Sequence, residues 1–435
     1  MNFQECQHYL ENIQRLGVKF GLDNVRTVLN STGNPHLDYP SVLVAGSNGK
    51  GSVCAMLSRI LSLGGFRTGL FTSPHLVTVQ ERIRIGNTCI SKKAFSELLT
   101  LLRMRIEELL EKKELLSPPT YFELLSCLAF LYFSREGVDI SVLEVGMGGR
   151  YDATNVSSPI VSVITTISME HQKFLGDTLS QIAGEKAGII RAGVPAVCGV
   201  EKLEPLAVLQ SRAEELRAPF HRVFCPEGRF ASEMSGGRST CHLFMESGEY
   251  SFTPSLRGEH QGKNAAVAVY AADLLSRSWK RIKKRQIIRG IETTRWEGRM
   301  ELVSERPPVF LDGAHNEEGA RALRAFMREN IRSPVILVFA CMKDKKIKRI
   351  ADIIFPCAEK IFVTRFSYHR AALPEDIYGV STAYREKISM ETDLGKAFRK
   401  ALQSAGKDKT VIVAGSLFLV GEVKDMLRKG FENPL

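Results

Sequence analysis

The sequence predicts an α/β protein of two domains. The N-terminal one is P-loop-type, with a mostly parallel sheet plus a small antiparallel β region, and the C-terminal one is a Rossmann-like α/β domain. Three observations predict this. The 435 residues exceed what one hydrophobic core usually supports. Apolar, β-branched runs at 41–45, 140–145, 160–167, 335–339 and 411–414 alternate with segments of helical period. Strands buried on both faces read that way in a parallel sheet covered by helices. Finally, the run at 41–45 passes into Gly46-Ser47-Asn48-Gly49-Lys50-Gly51-Ser52-Val53, a glycine-rich turn that opens a helix to about Leu63.

The elements follow in order. Residues 2–14 read as an amphipathic helix, 67–72 as a second strand and 81–85 as an extended segment. Helical periodicity covers 91–114 and 121–133, and helices near 178–188 and 204–217 flank a strand at 194–200. Residues 220–255 alternate in short runs broken by Gly236-Gly237 and Gly248, which predicts an antiparallel hairpin region attached to the main sheet. An Ala-rich helix spans 261–276. After Trp296-Glu297-Gly298-Arg299 the alternation restarts, with strands at 309–311, 335–339, 361–364 and 411–414 and helices at 317–330, 346–354, 392–404 and 417–429. The expected domains are therefore 1–295 and 296–435.

Composition sets bounds. Hydrophobic residues at 44% and charged residues at 25% are ordinary for a globular chain, and no run approaches the ~18 apolar residues of a membrane span. The N-terminus lacks the basic-then-apolar pattern of a secretion signal. Nine scattered cysteines without a C-x-x-C pair indicate reduced thiols in a cytoplasm. The net charge of +11 is partly local, in Arg277-Ser278-Trp279-Lys280-Arg281-Ile282-Lys283-Lys284-Arg285. That stretch reads as a solvated helix-and-turn face or as attraction for a polyanionic small molecule. Without a recognition motif, no nucleic-acid partner is expected.

The chemistry starts at the 46–52 turn. A strand, a glycine-rich loop and a helix N-terminus present backbone N–H groups and a dipole that favour phosphate. Lys50 adds a point charge, and the Ser52 hydroxyl suits Mg²⁺. Glu144, between a buried strand and Gly146-Met147-Gly148-Gly149, is placed as a Mg²⁺ ligand or a loop cap. His171 follows the next strand, Lys186 lies in Gly184-Glu185-Lys186-Ala187-Gly188, and Ser73-Pro74-His75-Leu76 ends the second strand. Taken alone, His171 reads more often as structural than as a ligand, Lys186 as a solvated helix residue and Ser73-Pro74-His75-Leu76 as a turn.

Taken together they form a recognisable series: Phe20-Gly21-Leu22-Asp23, the 46–52 loop, Thr72-Ser73-Pro74-His75-Leu76, Tyr121-Phe122-Glu123, Glu144-Val145-Gly146-Met147-Gly148-Gly149-Arg150-Tyr151-Asp152-Ala153-Thr154-Asn155, His171, Glu185-Lys186-Ala187-Gly188, His260-Gln261 with Asn264, Trp296-Glu297-Gly298-Arg299, Asp312-Gly313-Ala314-His315-Asn316 and Gly415-Ser416-Leu417-Phe418. In this order, over nearly the full length, the chain resembles the folylpolyglutamate synthase / dihydrofolate synthase family of the Mur ligase superfamily.

The resemblance implies an N-terminal ATPase domain and an ATP-dependent amide ligase that works through an acyl phosphate. Asn48, Gly49, Lys50, Gly51 and Ser52 would wrap the triphosphate, with Asn264, Arg299 and Asp312 also on ATP. Ser52, Ser73, Glu144 and His171 would hold Mg²⁺, as two ions, with K⁺ or another monovalent cation as a further cofactor. Lys186 matches a lysine that is carbamylated in relatives, and His315 would face the glutamate. Dihydropteroate or a folate would contact segments matching Phe20, Gly21, Leu22 and Asp23; Thr120, Tyr121, Phe122 and Glu123; and Tyr151, Asp152 and Ala153. The small-molecule partners are thus ATP, L-glutamate and a pteroate or folate, and the family implies a cytoplasmic monomer with no membrane contact.

Glu170 departs from the family's usual Asp, Ser47 from Thr, and Glu297 from Pro. Rival readings are a synthase that only extends folate tails, another Mur-type amino-acid ligase, and a nucleotide-binding switch without ligase chemistry. A cell-wall ligase would carry a further N-terminal domain, and the roughly forty residues before the loop are too few for one.

Overall fold

The computed structural model describes residues 1–14, 17, 21–225 and 229–430. Eight strands form the first sheet: β1 (Ser41–Ala45), β2 (Thr68–Phe71), β3 (Ile83–Ile85), β4 (Thr88–Cys89), β5 (Ile140–Glu144), β6 (Pro159–Ile164), β7 (Ala196–Cys198) and β8 (Phe220–Arg222). Their spatial order is β4-β3-β2-β5-β1-β6-β7-β8. All neighbours run parallel except β2 with β3 and β3 with β4. The sheet is covered on both sides, so its central strands are largely apolar. Leu43, Ala45 and Leu143 enter one core, and Val42, Val44 and Val142 enter the other. Strand order reverses around β1, which lies between β5 and β6, so the crevice beyond their C-terminal ends is the expected ligand site.

The antiparallel region differs from its expected form. The chain first adds β8 to the main sheet, parallel to β7. It then builds a separate three-stranded sheet from β9 (Phe230–Ser235), β10 (Arg238–Met245) and β11 (Gly248–Phe252). Cys241, Leu243, Tyr250 and Phe252 turn inward against the helix Glu259–Ser278. The extended segment at 81–85 also differs. Val79–Arg82 is a 3₁₀ turn, because the Glu81 carboxylate accepts from the N–H groups of Leu76, Val77 and Thr78 at 2.8, 3.1 and 3.0 Å. Only Ile83–Ile85 is strand.

A separate C-terminal sheet contains β12 (Glu301–Glu305), β13 (Pro308–Asp312), β14 (Val335–Phe339), β15 (Lys360–Val363), β16 (Ile388–Met390) and β17 (Thr410–Ala414), in the order β12-β13-β17-β14-β15-β16. Only β12 is antiparallel. It too is buried on both faces, with Leu337 and Phe339 in one core and Ile336 and Val338 in the other.

The two parts meet closely. A Cβ on Gly421, in the helix Leu417–Arg428, would lie 1.9 Å from the Leu76 carbonyl oxygen of the first part. Beside it, the buried Lys424 ammonium pairs with Glu297 at 3.0 Å and with Glu301.

The helix Lys50–Leu63 that follows the glycine-rich loop is held from behind by the helix Lys284–Thr293. A Cβ on Gly290 would lie 2.3 Å from Ile60 Cγ1 and 2.9 Å from its Cα. Gly290→Leu should therefore destabilise the protein by about 1–3 kcal/mol through overpacking. The measurement is the urea midpoint, and an unchanged midpoint would show that this contact is slack.

Candidate active site

Both sheets direct their C-terminal strand ends into one cavity of about 1110 Å³. The loop after β1 forms its floor. Segment 165–168 braces it from outside. Ser47 N–H donates to the Thr166 carbonyl at 2.8 Å, Asn48 N–H donates to Thr166 Oγ1 at 3.0 Å, and Thr165 Oγ1 donates to the Asn48 carbonyl at 2.6 Å. Gly46 and Gly49 both have positive φ, 148° and 86°. A Cβ on Gly46 would meet Thr165 Oγ1 at 1.9 Å, and one on Gly49 would meet Asn264 Oδ1 at 2.2 Å. Glycine is thus required twice, once for the turn and once for the close approach of Asn264. Lys50 curls across the loop and donates to the carbonyls of Gly46 and Ser47 at 2.8 and 3.3 Å.

Four residues expected to hold Mg²⁺ border this loop or the cavity. Ser52 Oγ is buried and has no hydrogen-bond partner, an orphan that a bound cation or phosphate would satisfy. The Glu144 carboxylate, at the end of β5, accepts from the Ser73 N–H at 3.0 Å. Burial pushes its pKa up, against the pull of Lys50 and that N–H. His171 faces the cavity from a left-handed turn at φ 45°. Loss of solvent lowers it to about 4, with Lys345, Lys50 and Lys186 adding to the drop against Glu170, so its imidazole is neutral and able to ligate. No group of three His, Cys, Asp or Glu among the described residues clusters as a metal site. One carboxylate, one imidazole and hydroxyls fit Mg²⁺, which ordinarily takes further ligands from phosphates and water.

Lys186 is 1% exposed and lies beneath the loop. Its ammonium donates to the Gly46 carbonyl at 2.9 Å and to Glu170 Oε1 at 2.8 Å. Burial alone would raise Glu170, but Lys186 and Lys50 outweigh it and bring the carboxyl down to about 2. Burial lowers the Lys186 pKa, and Glu170 opposes that. The acid that departs from the family pattern is therefore the ion-pair partner of Lys186.

The C-terminal sheet supplies the opposite wall. Asp312, at the end of β13, is fixed by the N–H groups of Met300 and Ala314, both at 2.9 Å. Arg299 lies over Gly313, where a Cβ would be 2.4 Å from its Nη1. His315 Nδ1 is 2.8 Å from the Gly313 carbonyl, a geometry that places the proton on Nδ1 and leaves Nε2 as an acceptor. Burial and Lys345 hold this ring at about 4. Asn48 spans the gap: it accepts from Asn316 Nδ2 at 2.9 Å and donates to Glu318 Oε2 at 2.5 Å.

Thr120, Tyr121, Phe122, Glu123, Tyr151, Asp152 and Ala153 all line the cavity. Some have evident structural duties. Thr120 and Glu123 cap the helix Tyr121–Arg135 reciprocally, with the Thr120 N–H donating to Glu123 Oε2 at 2.6 Å. Both Asp152 oxygens accept from residues 147 and 154. Phe122 packs on Phe71 and over Gly146, whereas Tyr151 is 49% exposed at the mouth. Gly21, Leu22 and Asp23 lie ahead of and at the start of the helix Asp23–Ser31 and are not in the cavity wall; Phe20 lies outside the described residues. Sequence reasoning missed Arg82, Glu318, Lys345 and Tyr368, which also line the cavity. Arg82 sits inside the predicted extended segment 81–85, Glu318 and Lys345 at predicted helix starts and Tyr368 just past a predicted strand, and position was their only signal.

Comparison with known proteins agrees with this geometry. Residues 44–272 match the Mur ligase middle domain, and residues 298–417 match the Mur ligase, glutamate ligase domain. The dihydrofolate synthase/folylpolyglutamate synthase of Bacillus subtilis (strain 168) is 34% identical over 98% of this chain and 99% of its own. The Mycobacterium tuberculosis folylpolyglutamate synthase complexed with ADP superimposes with a TM-score of 0.90 at 28% identity, covering 98% of each chain. E. coli FolC in complex with DHPP and ADP gives 0.86 at 26%, covering 99% of each. A glycine-built loop facing the Asp312 strand end, in a chain alignable end to end with these proteins, makes this chain a member of the folylpolyglutamate synthase / dihydrofolate synthase family of Mur ligases.

Proposed function

We propose that this chain is an ATP-dependent ligase that joins L-glutamate to dihydropteroate and to the glutamate tail of reduced folates. The observation that carries this reading is the convergence of two strand-end sites, the 46–52 loop and Asp312, on one cavity bordered by Tyr121, Phe122 and Tyr151. The loop and Lys50 would hold the triphosphate. Asn264, Arg299 and Asp312 would hold the rest of the nucleotide from the facing side. Aromatic rings at 121, 122 and 151 suit a flat pterin, and a relative named for both synthase activities aligns over its full length. We place the division between the domains at 295/296, in the segment between the helix Lys284–Thr293 and β12.

In the reaction, an oxygen of the acceptor carboxylate attacks the γ-phosphorus and ADP leaves. The glutamate α-amine then attacks the acyl carbon and releases phosphate. Lys50 neutralises charge on the transferring group, and the two walls exclude water from the acyl phosphate. Ser52, Ser73, Glu144 and His171 would hold magnesium, which when bound supplies positive charge beside the phosphoryl oxygens. For a monovalent cation no donor set stands out among the described residues. His315 Nε2 can accept from the amine and aim its lone pair. At about 4 it is too weak a base to carry the proton at neutral pH, so its part is orientation. No described helix is long and apolar enough to cross a membrane, and the nine free thiols fit a reducing cytoplasm. We assign a monomer there, since one chain supplies every wall of the cavity.

We further propose that Lys186 is carbamylated in the working enzyme. Burial lowers its pKa and so favours the free amine that adds CO₂. The carbamate would bring an anionic oxygen to the loop, displacing Glu170 from its ion pair.

Three outcomes test this reading. With ATP, Mg²⁺ and glutamate, mass analysis should find one added glutamate on dihydropteroate and, in a separate incubation, an added glutamate on tetrahydrofolate. ADP formation that needs neither glutamate nor acceptor would favour a nucleotide switch. Lys50→Ala should lower kcat/KM by about 100-fold or more, through lost stabilisation of the transferring phosphoryl group; near-wild-type turnover would refute its role. Enzyme freed of CO₂ should lose ligation and recover it with bicarbonate, and a flat response would leave the Glu170 ion pair as the function of Lys186.

A further inference from the structure

Arg82 is a buried cation with no ion-pair partner among the described residues. Its residue is 7% exposed, and it lies on the wall of the cavity. Among the described residues no carboxylate comes within ion-pair distance of it; the nearby Glu81 is spent on the N–H groups of Leu76, Val77 and Thr78, and Glu144 on that of Ser73. Among the described residues its one side-chain hydrogen bond runs from Nε to His75 Nδ1, at 2.9 Å. One face of its guanidinium lies over the Tyr121 ring, 5.3 Å from the centroid. Buried charges are ordinarily paired, and arginine cannot escape by losing its proton.

The arrangement is that of a prepared fork. His75 takes the Nε edge and Tyr121 fixes the plane, which leaves the two Nη groups on the remaining edge without an acceptor among the described residues. That edge presents parallel N–H donors, the pattern that receives a carboxylate bidentately. The triphosphate is provided for elsewhere, by the 46–52 loop and Lys50. Tyr368 of the C-terminal part lines the same cavity and accepts from Gln14 Nε2 at 3.2 Å, so the pocket around Arg82 is closed by both parts of the chain.

We infer that the free edge of Arg82 binds a carboxylate of a ligation substrate, with His75 and Tyr121 as the residues that position it. The carboxylate belongs either to the incoming glutamate or to the glutamyl tail of the acceptor. This inference rests on the ligase reading above.

The test is steady-state ligation by Arg82→Lys, which keeps the charge and loses the fork. The KM for one carboxylate substrate should rise by about 10- to 100-fold, as expected for a lost charge-assisted pair, while ATP affinity stays at the wild-type value. A rise for glutamate assigns the site to the amino acid, and a rise for the tetrahydrofolate acceptor assigns it to the tail. Unchanged KM values for both, or a loss of ATP affinity instead, would overturn the inference. Should Arg82→Lys not fold, His75→Phe removes the acceptor and leaves the guanidinium; the same KM should rise several-fold, and no rise would equally overturn it. Failure of the ligase reading is separate, because it would appear as wild-type enzyme that makes no glutamate-dependent ADP.

Discussion

The fold turns on one steric constraint, the absence of side chains at Gly46 and Gly49. Either Cβ would fall inside an oxygen of Thr165 or Asn264. Because both are glycine, the loop can press against the segment after β6 on one side and carry Asn264 on the other. The start of the helix Lys50–Leu63 is then left facing open space. The topology follows the same demand. Strand order reverses at β1, so the ends of β1, β5 and β6 place the loop, Glu144 and His171 around one crevice. The C-terminal sheet reverses at β17 and puts Asp312 opposite.

Charge around that space is mixed. Lys50, Arg82, Arg299 and Lys345 line the cavity together with Glu144, Glu170, Asp312, Glu318 and Asp344, and Lys186 lies beneath its floor. The protein spends its own acceptors on part of this set, with Lys50 on two carbonyls and Lys186 on Glu170 and Gly46. Lys345 pairs with Asp344 at 3.6 Å, whereas Arg82 and Arg299 have no ion pair with a carboxylate among the described residues. Guanidinium groups left without an ion pair suit anionic ligands, and low local dielectric strengthens such contacts once water is excluded. The surface charge at 277–285 is partly absorbed locally, since Arg277 pairs with Glu246 and Asp273, and Arg281 lies over Phe66.

Much of this was legible in the residues. Strands buried on both faces betray themselves as unbroken apolar runs, and the 46–52 loop carries its own chemistry. What escaped was whatever depends on partners distant in sequence. The 3₁₀ turn at Val79–Arg82 exists because Glu81 caps it, and alternation at 81–85 reads the same either way. Nothing in that alternation tells which arginine is buried: Arg82 enters the cavity, while Arg84 leans on Trp296. The antiparallel β12, the helix Pro374–Val380 and the short β16 are too brief to show a period. The split of 220–255 between two sheets depends on where β8 docks, which local pattern does not encode. Glu170 was visible as an unusual acid, but its pairing with Lys186 needed the fold.

The central claim is that a nucleotide's terminal phosphoryl group passes to an organic acid within this cavity. It is tested most directly by supplying an acceptor whose carboxylate carries ¹⁸O and analysing the phosphate released. The account predicts one ¹⁸O per phosphate, because the attacking carboxylate oxygen leaves with phosphorus when the amine displaces it. Ligation that releases unlabelled phosphate would contradict it.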